Sequence, residues 1–383
     1  MPDEPCPSER AVATGARPLM RVAHVVAPAA FGGLERVVAG LCRETALRGH
    51  SVLLIATLAP GAELPAWAAE LQGSGVSVAP VHVPSRAYLA ERRAVRGLLR
   101  RFRAEVVHTH GYRSDVVHAG VVRGEGIPLV STAHGFASSR GIGLVYEWLQ
   151  RRAWRRFDAV VAVSRPLLDV LSGLGIPRDR LVFIQNGLSG AHAPVDRREA
   201  RTRLGLPQDA RVVGWVGRFS EEKNAVLAIE ALARTTDRAV RLCMIGAGPT
   251  LEHCRALAHD RGLSERVRFC GAVPDAGPLV SAFDVLMLSS RTEGTPMVVL
   301  EAAAAGVAVV STSVGGVPDL LGRDGGWLVP ADDAAALAVA LDEAASDPAQ
   351  AARRAERLQA RLLAGPVDWV SEYLALYSRL IGA

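Results

Sequence analysis

From residue 20 onward, short runs that are apolar at nearly every position alternate with longer segments whose apolar residues recur at helical spacing. The runs fall at 21–27, 51–57, 76–83, 105–109, 128–132, 158–163 and 181–184, then at 211–216, 240–245, 266–270, 285–288 and 307–310. Strands apolar throughout, instead of at alternate positions, are buried on both faces, and the helices between them supply the cover. The pattern predicts an α/β protein with doubly wound parallel sheets. The rhythm lapses between 186 and 209, a stretch rich in Ala, Pro and Arg. Two domains are therefore expected, at 19–188 and 210–365, joined by a linker at 189–209. Residues 1–18, polar and Pro-rich, read as a disordered tail. Residues 366–383 read as a final helix, with Trp369, Tyr373, Leu376 and Tyr377 at helical spacing.

In open α/β sheets ligands bind beyond the C-terminal ends of the strands, so two such domains place the natural site in the cleft between them. Each candidate motif does follow a predicted strand. After 285–288 comes Ser289-Ser290-Arg291-Thr292-Glu293-Gly294-Thr295-Pro296-Met297-Val298-Val299-Leu300-Glu301. Thr295 suits an N-cap and Pro296 the first helical position, and Gly306 stops the helix after Ala305. Gly294 through Val298 thus form a helix mouth whose unpaired N–H groups and partial positive charge suit a phosphate. Glu293 lies before that mouth, and Glu301 roughly 7 Å along the helix axis. Two acids able to hold sugar hydroxyls beside a phosphate mouth describe a site for a nucleotide-sugar. After 211–216, Gly217 permits close backbone approach, and Arg218 and Lys223 can clamp a diphosphate, one by a bidentate fork and the other as a point charge. In a plain surface loop they would instead pair with Glu221 and Glu222.

Gly246-Ala247-Gly248-Pro249 is a further glycine turn, but Leu251 stands where a nicotinamide dinucleotide fingerprint needs its third glycine. Gly315-Gly316, with Asp319, makes another turn at the same sheet edge. In the first domain, Phe31-Gly32-Gly33 opens a helix. His110 and His134 close the predicted strands at 105–109 and 128–132, where an imidazole can orient or polarise a reacting group. Asn186, beyond the last strand, joins the candidate binding residues.

The net charge of +5 is uneven: residues 1–190 hold 23 Arg against 15 acids, and residues 191–383 hold 21 cations against 24 acids. Lys223 is the only lysine beside 43 arginines. The helical segments 85–103 and 144–157 are basic, the second with Tyr146, Trp148 and Trp154. Such a face can rest on an anionic membrane or be a solvated face of a packed helix. No nucleic-acid motif accompanies the charge. The five cysteines are scattered, without zinc or disulfide spacing, and read as buried thiols. No apolar run is long enough to span a membrane, and the first 17 residues lack a signal-peptide core, so a cytoplasmic protein is expected, with its inner-membrane face as a possible place of work.

Taken together, these motifs resemble the family 4 glycosyltransferases, from Met20 to the end of the chain. The most specific part is the pair Glu293 and Glu301 followed by Ala302-x-x-x-Gly306. The resemblance implies a retaining enzyme with the GT-B fold, two Rossmann-like domains facing each other across a cleft. It implies that Gly32 and Gly33 approach the donor phosphate and sugar, that His134 lies near the reaction centre, and that Arg218 and Lys223 neutralise the donor diphosphate. Glu293 would meet donor sugar hydroxyls, Glu301 would hold the ribose, and the final helix would cross back to the N-terminal domain, which binds the acceptor. With those cations, and no Asp-x-Asp, no metal cofactor is expected. A glycan or lipid-linked acceptor fits the basic first half. Asn224, Ala308 and Asp319 depart from the commonest family pattern without removing a charged donor contact. Rival readings are a nucleotide-sugar epimerase or an inverting transferase, which product anomers separate, and a non-catalytic binding subunit, which would bind donor without turnover.

Overall fold

The computed structural model describes residues 20–29, 32–135, 142–189, 193–363 and 368–382. The expected tail at 1–18 lies outside them, as do Phe31 and residues 366 and 367. The chain divides into two compact units, Met1–Ser189 with Val367–Ala383, and Gly190–Pro366.

The first unit runs β1 (Arg21–Val26), α1 (Gly33–Leu47), β2 (Ser51–Leu58), α2 (Ala66–Glu70), β3 (Val76–His82), α3 (Tyr88–Phe102), β4 (Val106–His110), α4 (Gly111–Gly124), β5 (Leu129–Ala133), α5 (Ile142–Trp154), β6 (Ala159–Ala162), α6 (Arg165–Ser172) and β7 (Leu181–Phe183). Its seven strands are parallel, in the order β3-β2-β1-β4-β5-β6-β7. Side chains alternate between the two covered sheet faces, which explains why these strands are apolar at most positions. Ala23, Val25 and Val107 pack with Val95 and Leu99 of α3, whereas Val26 and Leu54 pack with Val38 and Cys42 of α1.

The second unit runs α7 (Arg197–Leu204), β8 (Val212–Val216), α8 (Ala225–Arg234), β9 (Arg241–Ile245), α9 (Leu251–Asp260), β10 (Val267–Gly271), β11 (Val285–Leu288), α10 (Met297–Ala305), β12 (Ala308–Thr312), α11 (Val317–Leu321), β13 (Trp327–Val329), α12 (Ala334–Ser346) and α13 (Pro348–Leu363). Its six parallel strands lie in the order β10-β9-β8-β11-β12-β13. The last helix, α14 (Trp369–Ile381), belongs to the first unit. Tyr377 hydroxyl and His108 Nδ1 lie 2.7 Å apart, Tyr373 hydroxyl and Thr132 Oγ1 2.9 Å, and a Cβ on Gly187 would collide with Trp369. Among the described residues no helix is long and apolar enough to cross a membrane.

Several expectations change. The stretch 189–209 is not bare linker, because α7 lies within it, capped by the Asp196 carboxylate on Arg198 N and Glu199 N. Arg201 of α7 is buried and donates to Ala282 O and Asp284, so a residue that reads as surface charge is a clamp into the second unit. Strand β13 was not predicted, being too short for an apolar run to register. Pro296, not Thr295, occupies the N-cap of α10, with no side-chain cap bond. Trp154 is buried and donates from its indole to Asp115, so it does not belong to a membrane-facing surface. Cys42, Cys243 and Cys254 are buried, whereas Cys270 is only partly so, and Cys6 lies outside the described residues.

Candidate active site

In the second sheet the chain leaves β8 toward β9 on one side and reaches β11 on the other, so β8 and β11 flank the topological switch point. The loops leaving these two strands carry 217–224 and 289–296. They meet through one ion pair: Lys223 Nζ donates to Glu293 Oε1 at 2.7 Å and Oε2 at 2.8 Å. The alternative of Lys223 pairing with Glu221 or Glu222 is therefore not what forms. Those residues offer backbone carbonyls to Arg291 instead, and Arg291 also pairs with Asp332.

Several bonds hold the pair in place. Ser290 Oγ donates to Glu293 Oε1 at 2.6 Å. Ser289 Oγ donates to Lys223 O and Asn224 O and accepts from the Trp215 indole, tying the first loop to the start of the second. Thr312 Oγ1 donates to Ser290 O, and Gly316 N to Gly294 O. At Gly315, with φ +53°, a Cβ would stand 1.8 Å from Glu293 O, so the β12 loop packs backbone to backbone beneath the acid.

Gly246 and Gly248 have the same explanation. A Cβ on Gly246 would lie 1.8 Å from Gly217 O, and one on Gly248 2.3 Å from Phe219 O. Gly217 N donates to Ile245 O, Phe219 N to Ala247 O and Thr250 N to Phe219 O. Gly246-Ala247-Gly248, weak as a sequence motif, is the bed on which the 217–220 loop lies. Arg218 is exposed on that loop, its guanidinium without a partner among the described residues. Beyond the mouth, Val298 is half-buried and Glu301 is 3% exposed, so the second acid is enclosed within the unit.

In the first unit the switch point lies between β1 and β4. Gly32 is the N-cap of α1 and Gly33 its exposed first residue. The Glu35 carboxylate folds back beneath this turn and accepts from Ala29 N at 3.0 Å, a role no sequence signal announces. His110 ends β4 and His134 follows β5, with ring centroids 6.2 Å apart. Burial holds the His134 pKa down to about 4 and that of His110 well below its ordinary value, so both are neutral near neutral pH. Asn186 is buried, its Oδ1 without a hydrogen-bond partner among the described residues. His24, an unremarkable residue within the β1 run, lies beside His108 and His110. Among the described residues these three form the one group of side chains placed to hold a metal ion. Below them Asp115 accepts from Thr109, Ser131, Gln150 and Trp154, and burial pushes its pKa up to about 6.

Residues 31–189 match the Glycosyltransferase Family 4 family, and residues 210–347 match the Glycosyl transferases group 1 family. The chain is 31% identical over 381 residues to a 2-deoxystreptamine N-acetyl-D-glucosaminyltransferase of Streptomyces fradiae, covering 90% of this chain and 88% of that one. It is 36% identical over 206 residues to the lipopolysaccharide core biosynthesis glycosyltransferase LpsE of Rhizobium meliloti, a match spanning 53% of this chain but only 58% of the relative. Anabaena Alr3699/HepE, solved in complex with UDP-glucose, matches with a TM-score of 0.81 at 21% identity, over 93% of this chain and 100% of that one, which speaks for the fold. With both halves matched in order, the chain belongs to the family 4 glycosyltransferases and is an enzyme of the GT-B fold.

Proposed function

We propose that the enzyme moves a sugar from a nucleoside diphosphate sugar to a hydroxyl of a glycan or lipid-linked glycan, with retention of anomeric configuration. The observation that carries this reading is the placement of the chain's one lysine, Lys223, against Glu293 at the switch point of the second sheet. In this reading Lys223 and the exposed Arg218 neutralise charge developing on the departing diphosphate, and the N-terminus of α10 adds its partial charge. Gly217, Gly248 and residues 294–298 give the backbone approach to the phosphates. Glu293 meets donor sugar hydroxyls and Glu301 the ribose. The cations do the work a metal would otherwise do at the diphosphate. Gly32, Gly33, His110, His134 and Asn186 serve the reaction centre and acceptor from the first unit. The acceptor oxygen attacks on the leaving-group face as the bond to the diphosphate breaks, and its proton leaves with the phosphate oxygen. Alr3699/HepE in complex with UDP-glucose and a relative named for lipopolysaccharide core biosynthesis support a nucleotide-sugar donor and polysaccharide biosynthesis.

The reading also places the enzyme in the cytoplasm, in peripheral contact with an anionic membrane. Its support is the exposed aromatic group on α4 and α5. The Tyr112 and Tyr146 rings lie 5.4 Å apart, Trp148 is 59% exposed, and exposed arginines such as Arg152 accompany them.

The test is a thermal-shift panel of nucleotide-sugars, followed by transfer to lipid-linked acceptors with product anomers read by NMR. One donor should raise the unfolding midpoint and be consumed with its anomeric configuration kept. Inverted product, or binding without turnover on any acceptor, overturns the reading.

A further inference from the structure

His24, His108 and His110 stand on one face of the first sheet, remote in sequence from the residues assigned to the donor. β1 and β4 are parallel neighbours with His24 directly opposite His108, and the two-residue period of a strand puts His110 on the same face as His108. Two ligands at i and i+2 on one strand, plus a third from its neighbour, is the arrangement by which a sheet can gather three imidazoles about one ion. The ring centroids are 4.1 to 5.4 Å apart, and one nitrogen from each ring lies within 4.8 Å of the others. His24 Nδ1 and His110 Nε2 are already 3.0 Å apart. Nitrogens bound tetrahedrally at about 2.0–2.1 Å from an ion sit about 3.4 Å from one another, so modest rotations complete the set.

The cluster is also incompletely satisfied. His24 and His110 are buried, yet His24 Nε2 and His110 Nδ1 have no hydrogen-bond partner among the described residues. Buried ring nitrogens are ordinarily bonded, and apolar side chains would fill this face at less cost.

We propose that His24, His108 and His110 bind one divalent transition-metal ion of the imidazole-preferring class, zinc or cobalt. Calcium and magnesium prefer oxygen ligands, and the set has none. His108 gives up one of its two hydroxyl partners, Thr132 Oγ1 or Tyr377, and keeps the other to orient its ring. Three neutral imidazoles leave the ion's double charge uncompensated, so its fourth position takes water or hydroxide. The ion ties β1 to β4 through its three imidazoles. It uses none of the residues assigned to the diphosphate and stands whether or not the proposed sugar chemistry does.

The experiment uses the full chain without a histidine tag, stripped with chelator and titrated with Co²⁺. Stoichiometric Co²⁺ retained through dialysis, visible bands of tetrahedral nitrogen ligation and a raised unfolding midpoint are expected. His24→Gln should weaken binding by at least about tenfold, while His259→Gln, at an exposed imidazole, should leave it unchanged. Substoichiometric retention by the wild type, or equal retention by His24→Gln, overturns the proposal. Should His24→Gln fail to fold, X-ray absorption of the zinc-loaded wild type decides: three imidazoles support the site, and fewer overturn it.

Discussion

Lys223 Nζ lies 2.7 and 2.8 Å from the two carboxylate oxygens of Glu293, so residues 70 positions apart share one geometry. The Glu293 side chain is only 6% exposed, whereas that of Lys223 is 31% exposed. The lysine therefore satisfies the acid on one side while still reaching solvent on the other. Lys223→Ala should leave the fold intact, because Ser290 still partners the carboxylate. Transfer should drop by about 10²–10³-fold, as for loss of one group that stabilises developing charge. Steady-state kcat/KM with circular dichroism as the fold control checks this, and wild-type turnover would remove Lys223 from the site.

Two glycines with positive φ separate backbone strain from loop packing. Gly306 has φ +66° with nothing within 4 Å of a Cβ, so Gly306→Ala should cost about 1–2 kcal/mol of stability and leave donor affinity alone. Gly315→Ala adds a collision with Glu293 O to the same strain and must displace the acid's loop. A shift of that kind should lower kcat/KM by about 10²-fold. Parallel denaturation and kinetics distinguish them; equal kinetic effects in the two variants contradict the packing argument.

Asp368 caps α14 through Val370 N and Ser371 N and pairs with Arg48 Nη2 at 2.7 Å. Arg48 holds its pKa down to about 2, below the ordinary 3.8. A folded pKa below the unfolded one means the native state binds fewer protons in that window, so the stabilisation is present above 3.8 and is lost as pH falls toward 2. Asp368→Asn, which keeps a capping oxygen and removes the charge, should cost about 0.5–1 kcal/mol at neutral pH, given the exposure of the pair. Urea midpoints should converge with the wild type as pH drops from 3.8 toward 2; a gap that does not change with pH would show that the charge contributes nothing.

Trp148 is the test of membrane contact. Burying an indole-sized apolar surface is worth about 1.5–3 kcal/mol, so Trp148→Ser should weaken binding to anionic vesicles by about tenfold or more. Cosedimentation at rising salt should also decline, as expected for arginine contacts. Equal wild-type binding to neutral and anionic vesicles would dissolve the electrostatic part.

The strand runs and the switch-point loops were legible because burial on both faces of a parallel sheet leaves few polar positions within a strand. Runs such as 211–216 and 285–288 thus state both the sheet and where its loops begin. Helix α7 was hidden because its buried Arg201 is chemically indistinguishable, in sequence, from the solvated arginines around it. Only the Ala282 carbonyl and the Asp284 carboxylate make it a clamp. The importance of Gly315 and Gly246 was hidden for a related reason: a glycine's missing Cβ matters only against the atom that would meet it, which comes from a distant loop. Local chemistry thus determined the elements, the switch-point loops and the candidate Lys223, Glu293 and Glu301. Tertiary structure decided that Lys223 pairs with Glu293 and not with its neighbours Glu221 and Glu222. It also gathered His24 with His108 and His110, because contacts across strands depend on sheet order, which short-range pattern does not contain.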